Sequence, residues 1–243
     1  MELHIAKNIE ELSRELAGWM ADYIESILQK KDRFTLVLSG GSTPELLNSL
    51  LSSPPLSKKI DWSRLHIFWG DERVVPITDD RNNAKMAFNT LLNKVSVPPY
   101  HVHIMNTALI PEVAASEYDA LLRTYFPPAI PATPTFDLVL LGMGDDGHTL
   151  SLFPGTHAMH VEDKWATSVF LEKQDMFRIT LTPPVVNRSA RIAFLVTGSA
   201  KAEALKEVIE GDYKPDRFPA QVIKPIAGEL HWFVDEAASA LLS

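Results

Sequence analysis

The stretch Gly142–Gly155 reads GMGDDGHTLSLFPG and follows the apolar run FDLVLL. It sets Asp145, Asp146 and His148 among Gly142, Gly144 and Gly147. Histidine suits general-base chemistry near neutral pH, and a neighbouring carboxylate fixes its tautomer and raises its basicity. A lone histidine is more often structural than catalytic. A histidine in a glycine-rich turn at the end of a buried strand fits a catalytic role better. Asp146 is the expected orienting carboxylate, with Asp145 as the alternative. A metal reading needs more ligands. His101 and His103 form an HxH pair, and His157 and His160 lie elsewhere, but no recognised ligand spacing joins them. No metal is expected.

Three further segments carry chemistry where an apolar run ends. SGGSTP (39–44) has two glycines that let backbone approach a ligand, and Ser42 and Thr43 add hydroxyls. The helix that follows offers free N–H groups and a positive dipole end, which suits a phosphate. No Lys-Ser/Thr pair follows the glycines, so this is not a P-loop. A tight turn with a helix cap is the plain alternative. GDERVV (70–75) puts Asp71 and Arg73 directly after a strand, where arginine can bind an anion and aspartate sugar hydroxyls. A salt-bridged strand end is the alternative here, and RNNA (81–84) can buttress the loop. In TGSAKAEAL (197–205), Lys201 lies in the first helical turn, where it opposes the dipole unless an anion is bound. Together these segments suit a phosphorylated, hydroxyl-rich ligand with a base aimed at it. No GxSxG elbow and no GxGxxG fingerprint is present, so activated water is the simplest nucleophile.

The elements that must position these groups follow from periodicity. Helical spacing runs over 8–31 with Asn8 as N-cap, and over 43–53, 81–95, 111–126 and 199–211. Short apolar runs at 34–39, 65–70, 101–105, 136–142, 165–171, 177–182 and 191–198 read as strands, and HWFVDEAASALLS as a last strand and helix. A proline-rich connector occupies 127–135. Near-continuous apolar strands alternating with helices predict a single-domain α/β fold, with a mostly parallel, Rossmann-like sheet and helices on both faces. Ligands in such folds bind beyond the carboxyl ends of the strands.

Composition narrows the function classes. The 243 residues are 46% hydrophobic and 22% charged, as in globular proteins, and include no cysteine, which excludes disulfides and thiolate catalysis. The net charge of −8 and the lack of a basic run argue against nucleic-acid binding. The N-terminal stretch has no apolar secretory core, and no run of about 18 apolar residues exists for a membrane span. A cytoplasmic protein with no membrane partner is expected.

The segments SGGSTP, GDERVV with RNNA, GMGDDGHTLSLFPG, RITLT and TGSAKAEAL with HWFVDEAASALL resemble, in order, the 6-phosphogluconolactonase family. The resemblance runs from about Leu36 to Leu242, and DGHTLSLFPG is its most specific piece. It implies a fold of the sugar-phosphate isomerase/deaminase type. It also implies hydrolysis of 6-phospho-D-glucono-1,5-lactone to 6-phosphogluconate in the oxidative pentose phosphate pathway, with no metal or organic cofactor. On this resemblance His148 is the general base. Asp71 and Arg73 contact substrate, Gly40, Gly41, Ser42 and Thr43 form the phosphate loop with Lys201, and Arg178 of RITLT also faces the ligand. Arg73 is a candidate donor to the developing oxyanion.

Two rivals are weighed. Glucosamine-6-phosphate deaminases share the GST, DGH and lysine features, but their pattern continues to a glutamate before proline, where this chain has Phe153. Loss of that carboxylate removes an acid/base group from ring-opening chemistry. A non-catalytic sugar-phosphate sensor would not need the Asp–Arg and Asp–His groups. A monomer is the expected state, since no long exposed apolar stretch calls for an assembly.

Overall fold

A computed structural model describes residues 1–126 and 134–243; residues 127–133, most of the proline-rich connector, lie outside the described residues. Ten strands are present in the described residues: β1 (Glu2–Ala6), β2 (Phe34–Leu38), β3 (Leu65–Trp69), β4 (Asp71–Arg73), β5 (Val102–His103), β6 (Leu138–Leu141), β7 (Ala166–Leu171), β8 (Met176–Leu181), β9 (Arg191–Val196) and β10 (Glu229–Asp235). The helices of eight residues or more are α1 (Ile9–Leu28), α2 (Ser42–Leu51), α3 (Asn83–Thr90), α4 (Pro111–Tyr125) and α5 (Ala202–Ile209).

Seven strands form one sheet in the order β1-β10-β9-β6-β2-β3-β5, and every pair in it is parallel. Its central strands are buried throughout because helices cover both faces: every residue of FTLVL in β2 and of LVLL in β6 is buried. Phe34, Phe68, Phe136, Phe194 and Phe233 are fully buried in a single core. α1 begins as expected at Asn8, whose side chain accepts from the Glu11 N–H.

The strand order reverses between β2 and β6. The chain builds outward from β2 through β3 to β5, and from β6 through β9 to β10. The carboxyl ends of β2 and β6 therefore open a crevice, and they lead into SGGSTP and GMGDDGH respectively.

Two features depart from the sequence expectation. An edge strand, β1, pairs with β10 ahead of the first helix. A second, three-stranded antiparallel sheet, β4-β8-β7, stands beside the first. The segments 165–171 and 177–182 are strands as expected, but they form a hairpin in this small sheet. GDER is not a loop: Gly70 is a corner whose N–H donates to Leu38 O and whose carbonyl accepts from Leu181 N–H, and β4 starts at the next residue. Shorter elements also replace parts of the longer expected ones. The helix expected over 81–95 is α3 plus a 3-10 turn at Leu92–Lys94, and Lys201 closes a 3-10 turn, Ser199–Lys201, that leads into α5.

The reversal point is held at its lower end by Asp137. Its buried carboxylate accepts from Thr35 N–H at 2.8 Å and Thr35 Oγ1 at 2.9 Å, and pairs with Lys31 Nζ at 2.6 Å. Asp137→Ala strands the Thr35 N–H between β2 and β6. Urea denaturation should show a loss of about 2 kcal/mol or more.

Candidate active site

The segment after β6 folds back on itself. Gly144 N–H donates to His148 O at 2.8 Å, Gly147 N–H to Gly144 O, and Thr149 Oγ1 to Gly142 O. Gly147 has φ +75°, a conformation that side chains rarely adopt, and Phe218 packs against it. Gly144 is required for a different reason: a Cβ there would lie 2.1 Å from His148 Nδ1 and 2.6 Å from Asp146 Oδ1. The turn is bare of side chain so that these two groups can meet over it.

They do meet. Asp146 Oδ1 lies 2.5 Å from His148 Nδ1 and also accepts the His148 backbone N–H at 3.0 Å. Burial raises the Asp146 carboxyl, but the hydrogen bonds from His148 outweigh it and hold the group below the ordinary carboxylate range. An ionised carboxylate only accepts, so Nδ1 carries the ring proton and Nε2 keeps its lone pair. Phe153 stacks on the imidazole at 3.9 Å with 20° between the planes. The ring is thus fixed in its plane by Asp146 and across its face by Phe153. Asp145 is exposed and makes no such contact, so the geometry selects Asp146.

His148 lies in a cleft of about 290 Å³ whose wall also includes Gly40, Asp71, Arg73, Arg178 and Lys201. Six residues expected from the sequence thus share one cavity, drawn from five separate segments. Gly41 and Ser42 are exposed at its rim, where α2 begins, and Thr43 is half-buried beside them. Thr43 Oγ1 lies 3.1 Å from Thr197 Oγ1, which ties the junction after β2 to the junction after β9. The Gly198 N–H is occupied by the Asp235 carboxylate at 3.0 Å, so the second junction presents Lys201 rather than its first backbone donor.

Arg73 and Arg178 face each other directly across the antiparallel β4–β8 pair. Like charges placed opposite in a sheet destabilise it, and an anion between them removes the penalty. Each guanidinium has a buried Nε with no hydrogen-bond partner among the described residues. Arg73 Nη1 donates to Arg81 O at 2.7 Å, and Arg178 Nη2 donates to Gln174 Oε1. Burial lowers the Arg178 pKa below its ordinary value; Arg73 adds to that, and Asp71 opposes it.

Asp71 is more engaged than expected. Its Oδ2 accepts from Ser151 Oγ at 2.6 Å, and its backbone carbonyl accepts from Asn83 Nδ2 at 3.0 Å. It therefore brackets the GMGDDGHTLS loop against β4 while lining the cleft. Asn83 also explains Gly40, where a Cβ would fall 2.0 Å from Asn83 Oδ1. RNNA does buttress this region, as expected. The sequence reading gave no role to Glu72, Ser151 or Gln174, and reached Asn83 only as part of RNNA. Only Asn83 had a visible signal, in RNNA.

The HxH pair serves elsewhere. His103 Nε2 lies 2.6 Å from the Tyr125 hydroxyl, His66 Nδ1 lies 3.1 Å from the same oxygen, and His101 stacks on His66. His160 pairs with Asp216.

The comparisons come from sequence and from structure. The family model described as glucosamine-6-phosphate isomerases/6-phosphogluconolactonase matches residues 7–232. The chain is 39% identical to "Probable 6-phosphogluconolactonase 1" of Arabidopsis thaliana, over 99% of this chain and 93% of that protein. It is also 39% identical to a 6-phosphogluconolactonase of Synechocystis sp., over 88% of this chain and 87% of that protein. Among solved structures, 6-phosphogluconolactonase from Trypanosoma brucei superposes with a TM-score of 0.86 at 26% identity, covering 100% of this chain and 98% of that one.

Glu72 supplies a pH test. Burial pushes its carboxyl up to about 7, against the hydrogen bonds from the backbone N–H groups of Asn83, Ala84 and Arg73. The folded chain thus keeps this proton up to about pH 7, whereas an unfolded glutamate releases it near 4.5. The unfolded state binds fewer protons in that window, so stability falls as pH rises from about 5 to 7, by roughly 2 kcal/mol through this group. Urea melts across that range should show the slope in the parent chain and its loss in Glu72→Gln.

Proposed function

Because this chain belongs to the glucosamine-6-phosphate isomerase/6-phosphogluconolactonase family, we propose that it hydrolyses 6-phospho-D-glucono-1,5-lactone to 6-phospho-D-gluconate, the lactone-opening step of the oxidative pentose phosphate pathway. The observation that carries the reading is a histidine held by a carboxylate at 2.5 Å in a cleft that also holds two arginines and a lysine. A base and an anion site meet in one cavity, as a phosphorylated ester substrate requires.

The mechanism follows from the tautomer. His148 Nε2 takes a proton from water as the water oxygen attacks C1 of the lactone. Negative charge collects on the former carbonyl oxygen, and Arg73, which lines the same cleft, is the candidate donor to it. The bond from C1 to the ring oxygen then breaks, and the imidazolium returns its proton to that oxygen, which leaves as the C5 hydroxyl. The product acid ionises in solution. Asp146 stabilises the imidazolium formed on the way and keeps the ring in the productive tautomer. No step calls for a metal or an organic cofactor.

The phosphate is assigned to Gly40, Gly41, Ser42, Thr43 and Lys201. The first turn of α2 directs unpaired backbone N–H groups outward there, and Lys201 makes no ion pair among the described residues. Asp71 and Arg178 complete the wall that holds the sugar ring. Phe153 argues against the deaminase reading: the position where those enzymes carry a glutamate is filled here by a ring stacked on the base.

Two measurements test the reading. His148→Ala should bring turnover of enzymatically made lactone close to its spontaneous hydrolysis, and Asp146→Asn should lower kcat by about 100-fold or more while leaving the fold intact. Full activity in His148→Ala refutes the base assignment. Lys201→Ala should raise KM for the phosphorylated lactone by about 10-fold or more with little change in kcat. An unchanged KM removes Lys201 from the phosphate site.

A further inference from the structure

The triplet Glu-Leu-His occurs twice in the chain, as Glu2-Leu3-His4 and as Glu229-Leu230-His231. The two copies lie on β1 and β10, which pair in parallel with Glu2 opposite His231. Alternate residues of a strand share a face, so Glu2 and His4 stand beside Glu229 and His231 on one side of the sheet edge. Both triplets lie at the amino ends of their strands, whereas the catalytic cleft lies at the carboxyl ends.

Three ligand-type atoms converge there. His4 Nε2 lies 3.3 Å from His231 Nδ1, Glu2 Oε2 lies 3.3 Å from His231 Nδ1, and Glu2 Oε2 lies 3.9 Å from His4 Nε2. A point equidistant from three atoms at these separations lies about 2 Å from each, the length of a zinc–imidazole or zinc–carboxylate bond. The second nitrogen of each ring also faces a carboxylate. His231 Nε2 is 3.3 Å from Glu229 Oε2, and His4 Nδ1 is 3.4 Å from Glu15 Oε1 of α1. Such outer carboxylates orient and strengthen metal-ligating histidines. The rings are already fixed by packing: His4 stacks on Phe233 at 4.1 Å and 3°, and His231 is buried against Trp19.

We propose that Glu2, His4 and His231 form a binding site for a divalent transition ion of the zinc class, which pins the edge strand β1 to β10. Two nitrogens and one carboxylate oxygen suit zinc and its borderline-soft neighbours rather than calcium or magnesium. Glu2 is exposed, so a water molecule can supply the fourth ligand from solvent. The role is structural. The ligands come from two strands that meet only in the folded chain, so bound metal stabilises the fold and holds the N-terminal strand in the sheet.

The test uses the full chain stripped with a chelator and then freed of it. Calorimetric titration with Zn²⁺ should show one equivalent bound, Co²⁺ in the same site should give visible absorption of a four-coordinate ion, and Zn²⁺ should raise Tm by several degrees. His4→Ala and Glu2→Gln should each weaken Zn²⁺ binding by about 10-fold or more and abolish the Tm rise, while their metal-free Tm and lactone turnover stay near the parent values. His148→Ala should still bind Zn²⁺ normally. No saturable uptake by the parent chain, uptake that survives both edge-strand variants, or uptake lost in His148→Ala overturns the proposal.

Discussion

The buried carboxylate of Glu72 is the joint on which the site is built. It sits in β4 with only 1% of its surface exposed, and it accepts the backbone N–H groups of Arg73, Asn83 and Ala84, each at 2.8 Å. Two of those donors open α3, where a helix start carries unpaired N–H groups and partial positive charge. One side chain thus couples the small sheet to a helix that packs against α2, the helix that follows β2 of the large sheet. The consequences run outward from there. Asn83, fixed by its own N–H, places its amide against Asp71 and under Gly40; Asp71 in turn holds Ser151 of the catalytic loop. The phosphate junction, the arginine pair and the histidine loop belong to different segments, and they share a cavity because this buried hub sets their distances.

Electrostatics within the cleft follow a consistent pattern. The chain is acidic overall, yet the cleft gathers Arg73, Arg178 and Lys201. Opposed arginines on adjacent strands are unfavourable for the sheet alone. Asp71 offsets part of that repulsion through its charge, and burial removes some of the screening that water would supply. What remains is a local positive field in an acidic surface, which draws an anionic substrate to the cleft rather than to the molecule at large. Within this field His148 has a carboxylate partner of its own, Asp146, 2.5 Å from Nδ1.

Much of this was legible in the sequence where burial and pattern coincide. β2, β6 and β9 are covered on both faces, so their apolar runs are continuous and the parallel sheet can be read directly. The strand ends then identify His148, Asp71, Arg73 and Lys201, because glycine, charge and helix start recur at fixed places. The small sheet was not legible. Asp-Glu-Arg has no strand propensity, and only its antiparallel pairing with β8 makes it a strand. β1 was hidden because it lies at the sheet edge with Glu2, Leu3 and Ile5 all exposed, so ELHIA shows no apolar run. Glu72 reads as one more charge beside two others; its burial depends on α3 arriving over it. Gln174 reaches the cleft from a turn with no pattern of its own, through its contact with Arg178. The choice between Asp145 and Asp146 likewise depended on the direction of a turn rather than on residue type.

Phe153 shows how one scaffold can separate two chemistries. A carboxylate at that position, against the face of the histidine, would compete with Asp146 for the imidazole and add a second proton-transfer group. An aromatic ring does neither. It covers one face of the imidazole and restricts ring rotation, and on the proposed mechanism Nε2 is the atom that takes the proton. Lactone hydrolysis needs one proton moved out and back at a single place, so one base in one orientation suffices. Ring opening and isomerisation of an amino sugar move protons at several atoms and need more than one group. On the proposed reading, the stacked pair of His148 and Phe153 narrows the site to the simpler reaction, while the strand–helix junctions and the sheet beneath them can stay common to both.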